Sequence, residues 1–166
     1  MAINKTYPGP QVVSRKMIVS DALTQDGFGT TFGLEQPAHS LVEKVFVRVL
    51  ESPVVATGAS IGFEAGTDAD VDNIVDNNGD ADTNDNILDA ASADPGTIPV
   101  GVVIDMAGTG GGYLATQYTA PNLAAPAAAS GLVTESTELK FRFRLSDHAI
   151  TTQGKFEVSF VFRVFE

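Results

Sequence analysis

The residues near the end of the chain constrain the fold most. Phe156, Val158, Phe160, Phe162 and Val164 alternate with Lys155, Glu157, Ser159, Val161, Arg163 and Phe165. A period of two puts the first set on one face of a strand and the second set on the other, which no helix can do. Just upstream, Leu139, Phe141, Phe143 and Leu145 alternate in the same way with Lys140, Arg142 and Arg144. Ser146 to Gly154, between the two runs, is rich in turn residues. The two strands are expected to pair antiparallel, most simply as a hairpin or across a sandwich.

Shorter runs bounded by turn residues predict further strands over Val12 to Val19, Leu41 to Leu50, Ala59 to Ala65, Ile98 to Asp105 and Tyr113 to Tyr118. With 16 glycines, 8 prolines and no helical stretch longer than Asn86 to Ala93, the pattern predicts an all-β fold. The expected architecture is an antiparallel β-sandwich, jelly-roll-like, rather than a barrel with crossover helices. The length fits one domain, able to bury roughly 70% of the surface its unfolded chain exposes. Residues 1–11, with Pro8 and Pro10, read as an extended N-terminal arm that needs a partner to order it. Residues 12–166 form the sandwich, interrupted by a long acidic loop at 68–96. That insertion and the alanine-rich 124–130 bridge are expected to add little core.

Charge narrows the functional classes. The chain carries 21 acidic and 10 basic residues, a formal net charge of -11. Such a chain repels nucleic-acid phosphates, so no nucleic-acid partner is expected. The imbalance is local as well: no Lys or Arg lies between Arg48 and Lys140, an interval that holds most of the acids. The absence of cysteine removes disulfides, thiolate metal sites and cysteine nucleophiles, and fits a reducing compartment. The first ten residues lack the basic and apolar regions of a secretory signal, and no apolar run reaches the roughly 20 residues that span a bilayer. The expectation is a protein made and kept in the cytosol, with no membrane partner.

Chemistry-bearing motifs are sparse. Asp68, Asp70, Asp72, Asp76, Asp80 and Asp82 place oxygen ligands at the alternate spacing with which loops wrap calcium. The register fails the helix-loop-helix calcium motif, since the sixth position from Asp68 is Asn73 and the twelfth is Gly79. A structural calcium site of another kind stands against a solvated acidic loop, and no other cofactor is expected. The glycines of 108–112 lack the Lys-Ser or Lys-Thr of a phosphate loop. His39 and His148 are isolated, and no Gly-x-Ser-x-Gly elbow exists. The chain is therefore not expected to be an enzyme. A carboxylate site involving Asp105 or Glu138 is the remaining catalytic alternative.

Candidate contact residues are of two kinds. Lys140, Arg142 and Arg144 form a basic stripe repeating every 6.8 Å or roughly so, read either as a solvated charged edge or as a surface that meets the acidic insertion of a neighbouring copy. Val161 and Phe165 on the last strand, and Phe46 and Leu50 on the Leu41 to Leu50 strand, make the second faces of those strands apolar. Such faces are either buried between sheets or form a subunit interface. Tyr7 and Pro8 of the arm join them as candidate interface residues.

Two segments carry a resemblance. Val45-Phe-Val-Arg-Val-Leu through Ala59-Ser-Ile-Gly-Phe-Glu-Ala-Gly-Thr-Asp-Ala-Asp-Val-Asp-Asn-Ile-Val-Asp76, followed by Gly154-Lys-Phe-Glu-Val-Ser-Phe-Val-Phe-Arg-Val164, resemble small virion structural proteins of tailed bacteriophages, of the capsid decoration or cement type. The resemblance implies a homo-oligomer, commonly a trimer, on the outer capsid surface, whose partners are the major capsid protein and other copies of itself. It brings no catalytic residue. The length of the 68–96 insertion departs from a compact cement protein and leaves a tail, neck or fibre-base role open. A calcium-dependent carbohydrate-binding β-sandwich is the alternative from another class, weakened by the absence of tryptophan and the presence of only 3 tyrosines for sugar stacking.

Overall fold

The computed structural model describes residues 10–25, 27–57, 59–69, 71, 74–75, 86–89, 96–106, 133–145 and 149–165. The described residues hold twelve strands and no helix: β1 (Gln11–Ser20), β2 (Gly27–Phe28), β3 (Phe32–Gln36), β4 (Ser40–Glu51), β5 (Val54–Val55), β6 (Ser60–Thr67), β7 (Asn86–Asp89), β8 (Gly96–Thr97), β9 (Val103–Asp105), β10 (Thr137–Leu145), β11 (Ile150–Thr152) and β12 (Lys155–Val164). All pairings are antiparallel. The first sheet runs β1-β12-β4-β9 and the second β2-β10-β6-β7, with β3 following β2 along the same side of β10. A small third sheet runs β11-β5-β8. The all-β sandwich expected from the sequence is the observed fold.

The two long terminal strands do not pair with each other. β12 lies between β1 and β4, and β10 lies between β3 and β6. They face each other across the sandwich, because β11 leaves to pair with β5 in the third sheet before the chain returns as β12. Their inward residues make the core: Leu139, Phe141, Phe143 and Leu145 against Phe156, Val158, Phe160 and Phe162, all inaccessible to solvent. Phe143 stacks on Phe156 at 4.7 Å between centroids, and Phe141 meets Phe160 at 5.9 Å. Phe63 of β6 packs edge-on to Phe143.

Strand β4 shows how the pleat is kept in step. Val42, Val45, Val47 and Val49 are all fully buried although the first two are three residues apart. The ladder with β12 slips between Val161 and Phe162, so that Lys44 and Val42 oppose consecutive β12 residues and Glu43 is the extra one. This bulge turns Val42 back towards the core. A second slip near Lys155 leaves Leu50 as the extra residue at the other end.

Four expectations are corrected. Ile98 to Asp105 is not one strand: Gly101, at φ +90, bends the chain after Pro99, leaving β8 in the third sheet and β9 in the first. Asn86–Asp89 is a strand on β6 rather than the start of a helix; Asn and Asp disfavour helix interiors, and Leu88 opposes Ile61 in the ladder. The acidic insertion does contribute core, since Ile74 and Val75 are buried and both donate backbone hydrogen bonds to the Ala65 carbonyl. Gln11, expected in the arm, is already paired with Val164 in β1. The expected Tyr113 to Tyr118 strand and the 124–130 bridge lie outside the described residues.

The segment after β1 is tied to the turn before β12 by a side chain. Gln153 accepts from the Leu23 N–H at 3.0 Å and donates to the Leu23 carbonyl at 2.9 Å, as a strand partner would. Gly154 adopts φ +74, and a Cβ there would lie 2.8 Å from the Pro53 nitrogen, so the turn requires glycine.

Because Phe160 touches β10 across the sandwich and is fully buried, Phe160→Ala is expected to lower unfolding free energy by about 3–5 kcal/mol, read from urea denaturation. A loss under about 1 kcal/mol would contradict the packing.

Candidate functional site

The candidate contact residues divide between the two outer faces of the sandwich. On the second sheet, the inward direction of Leu139, Phe141, Phe143 and Leu145 forces Lys140, Arg142 and Arg144 outward as one stripe. Each meets partners in its own chain. Lys140 Nζ lies 2.5 Å from Glu138 Oε2 and 3.8 Å from Asp68 Oδ1. The hydrogen bond to Glu138 holds the Lys140 ammonium above the ordinary lysine value; partial burial opposes this, and the charges of Glu138 and Asp68 add to it.

Arg142 is the centre of this face. Its Nε donates to Glu64 Oε2 at 2.8 Å, and its guanidinium carbon sits 3.7 Å from the Phe28 ring centroid. Arg144 approaches the same ring at 5.4 Å. Register explains the grouping: Arg142 opposes Glu64 on β6, while Arg144 opposes Phe28 on β2 and Gly62 on β6. The Glu64 side chain is only 3% exposed against 27% for Arg142. A carboxylate withdrawn from water to that extent needs its cation. The stripe was legible in the sequence, but Glu64 and Phe28 were not, because their distance along the chain hides a cross-strand pairing. Lys140 meets the Asp68 of its own acidic insertion, the partner expected from a neighbouring copy.

Of the six aspartates proposed for calcium, Asp68 is the described one, and its side chain is largely exposed beside Lys140. Asp70, Asp72, Asp76, Asp80 and Asp82 lie outside the described residues. Among the described residues no group of three or more His, Asp or Glu side chains is placed to hold a metal ion. Asp105 and Glu138 stand on the outer faces of different sheets, paired with Lys44 and Lys140 respectively.

The outer face of the first sheet is different. Phe46 opposes Ser159 on β12 and Asp105 on β9, with Lys44 Nζ 5.7 Å from its ring. Val161 opposes Ser14 and Lys44, and is half-buried. Phe165, just past β12, remains 39% exposed, and its N–H donates to the His39 carbonyl at 2.8 Å. Four ion pairs lace the surface around them: Lys16–Glu157 and Lys155–Glu51 at 3.4 Å, Lys44–Asp105 at 3.6 Å, and Arg163–Glu43. The sequence reading missed Val12, Ile18 and Val103, which are 65%, 58% and 57% exposed. Val12 and Ile18 share the outward parity of β1, and that alternation was the available signal. Tyr7 and Pro8 lie outside the described residues.

No protein-family model matches the chain, and no curated protein does. A chain from a cyanophage Pam1 capsid asymmetric unit is similar in structure, with a TM-score of 0.49 and 11% identity, over 99% of this chain and 93% of that one. A likeness of that size assigns no role to this chain.

The buried Glu64 supplies a test of the second sheet's outer face. Arg142→Ala, which takes the guanidinium away from that buried carboxylate, is expected to cost about 3–5 kcal/mol of stability, and adding Glu64→Gln should recover part of it. Equal stability of Arg142→Ala and the parent in urea titration would show that the pair carries nothing.

Proposed function

We propose that the chain is a structural virion protein of the capsid decoration or cement type, which binds the outer surface of a bacteriophage head as a homo-oligomer and stabilises contacts between major capsid proteins. The observation that carries this reading is the outer face of the first sheet. Val12, Ile18, Val103 and Phe165 stay exposed there, beside Phe46 and Val161, in a lattice of ion pairs. Exposed apolar residues mark a contact surface where they cluster, and here Phe46 and Val161 stand on the two central strands between Val12 and Ile18 on one edge and Val103 on the other. Protein interfaces are enriched in aromatic side chains at their centre and carry polar and charged groups at the rim.

The other face supports the same division of labour. The basic stripe of the second sheet is engaged with Glu64, Glu138, Asp68 and Phe28 of its own chain, so adhesion falls to the first sheet. A stiff sandwich with an aromatic core suits a protein that holds others in place and does no chemistry. The net negative charge suits a solvent-facing shell that does not adhere to DNA.

Immunoelectron microscopy with an antibody to the chain, applied to phage particles from its source, is expected to label heads at regular, dense positions. Particles without label overturn the reading, and label confined to tails removes the capsid role.

A further inference from the structure

We propose that the outer edge of β1 is a strand-addition site that takes an extended, acidic segment of a protein partner. β1 ends the first sheet, paired with β12 on one side through all ten of its residues in continuous register, and no described strand pairs with its other side. From Val12 to Ser20 it has no proline, no bulge and no acidic residue. Folded proteins usually shorten, twist or cover such an edge, because its outward N–H and C=O groups are a template for another strand. Main-chain hydrogen bonds then give affinity and alternate side chains give specificity.

Charge selects the occupant. The first twenty residues hold Lys5, Arg15 and Lys16 and no Asp or Glu, in a chain of net charge -11. Lys16 reaches Glu157 at 3.4 Å across an exposed pair, and Arg15 has no ion-pair partner among the described residues. Their sequence neighbourhood sends the two cations to opposite faces of the sheet, so an incoming strand meets one on each side. A second copy's β1, added antiparallel about this centre, would set cations against cations, which disfavours that occupant. An acidic strand finds a partner on both faces instead.

The outward residues refine the pattern. Val12, Ser14, Lys16 and Ile18 share the outer face, with Val12 and Ile18 more than half exposed. A strand added antiparallel covers them when it carries, at alternate positions, an apolar residue, an acid, a small polar residue and a second apolar residue. A further acid next to the first meets Arg15. The source of the segment as a virion component rests on the function proposed above; the edge and its preference do not.

The probe is a synthetic peptide, Thr-Val-Thr-Glu-Asp-Ser-Thr-Val-Thr, added to the full chain and followed by amide hydrogen exchange in NMR spectra. The expected result is new protection of alternate amides between Val12 and Ser20, with those already bonded to β12 unchanged. The double variant Arg15→Glu, Lys16→Glu should keep its β12 protection and bind about tenfold more weakly or worse. A peptide with lysine in place of both acids should not bind. Absence of binding, binding without protection of β1, or equal binding by the charge-reversed variant would overturn the proposal. So would protection of this edge that grows with protein concentration alone, which would assign it to a second copy, or protection by a DNA duplex. Peptide binding without labelled heads fails the virion reading alone, and labelled heads without peptide binding fail this one.

Discussion

The whole molecule depends on one contact: the phenylalanine-lined inner face of β10 lying on that of β12. Phe141, Phe143, Phe156 and Phe160 form that layer, and each is fully buried. Burying such a side chain contributes about 1.5–3 kcal/mol, so this layer supplies a large share of the driving force in a chain with no disulfide to assist it. Once these faces meet, parity does the rest. Lys140, Arg142 and Arg144 must point out from one sheet, and Val161 and Arg163 from the other.

Those two outer faces then diverge. On the second sheet, β6 offers Glu64 opposite Arg142, and the ring of Phe28 lies under both arginines, so the stripe closes on itself. On the first sheet four ion pairs lie at the surface, where each contributes little, and apolar side chains remain between them. The asymmetry leaves one outer face closed on its own ion pairs and stacking, and the other with apolar side chains exposed.

Period-two alternation made the long strands readable: β1, β4, β6, β10 and β12 all stand within a residue or two of their expected bounds. The short strands β2, β3, β5, β8 and β11 have two to five residues each, too few for a period to declare itself. The same local view took 68–96 as adding little core, because Ile74 and Val75 stand among aspartates and asparagines; backbone pairing with Ala65, nine residues away or more, gives them a place. On the outer face of the first sheet, the alternation in the sequence exposed Phe46, Val161 and Phe165. On the second sheet the sequence hid Glu64 and Phe28, whose contacts exist only through cross-strand register.

The central claim is that β10 and β12 face each other across a sandwich and share no hydrogen bond. Proton NOE spectroscopy reads this directly. Ring-to-ring contacts between Phe143 and Phe156 are expected, with close Hα–Hα contacts from β12 only to β1 and β4. Close Hα–Hα contacts between β10 and β12, the signature of a hairpin, would contradict it.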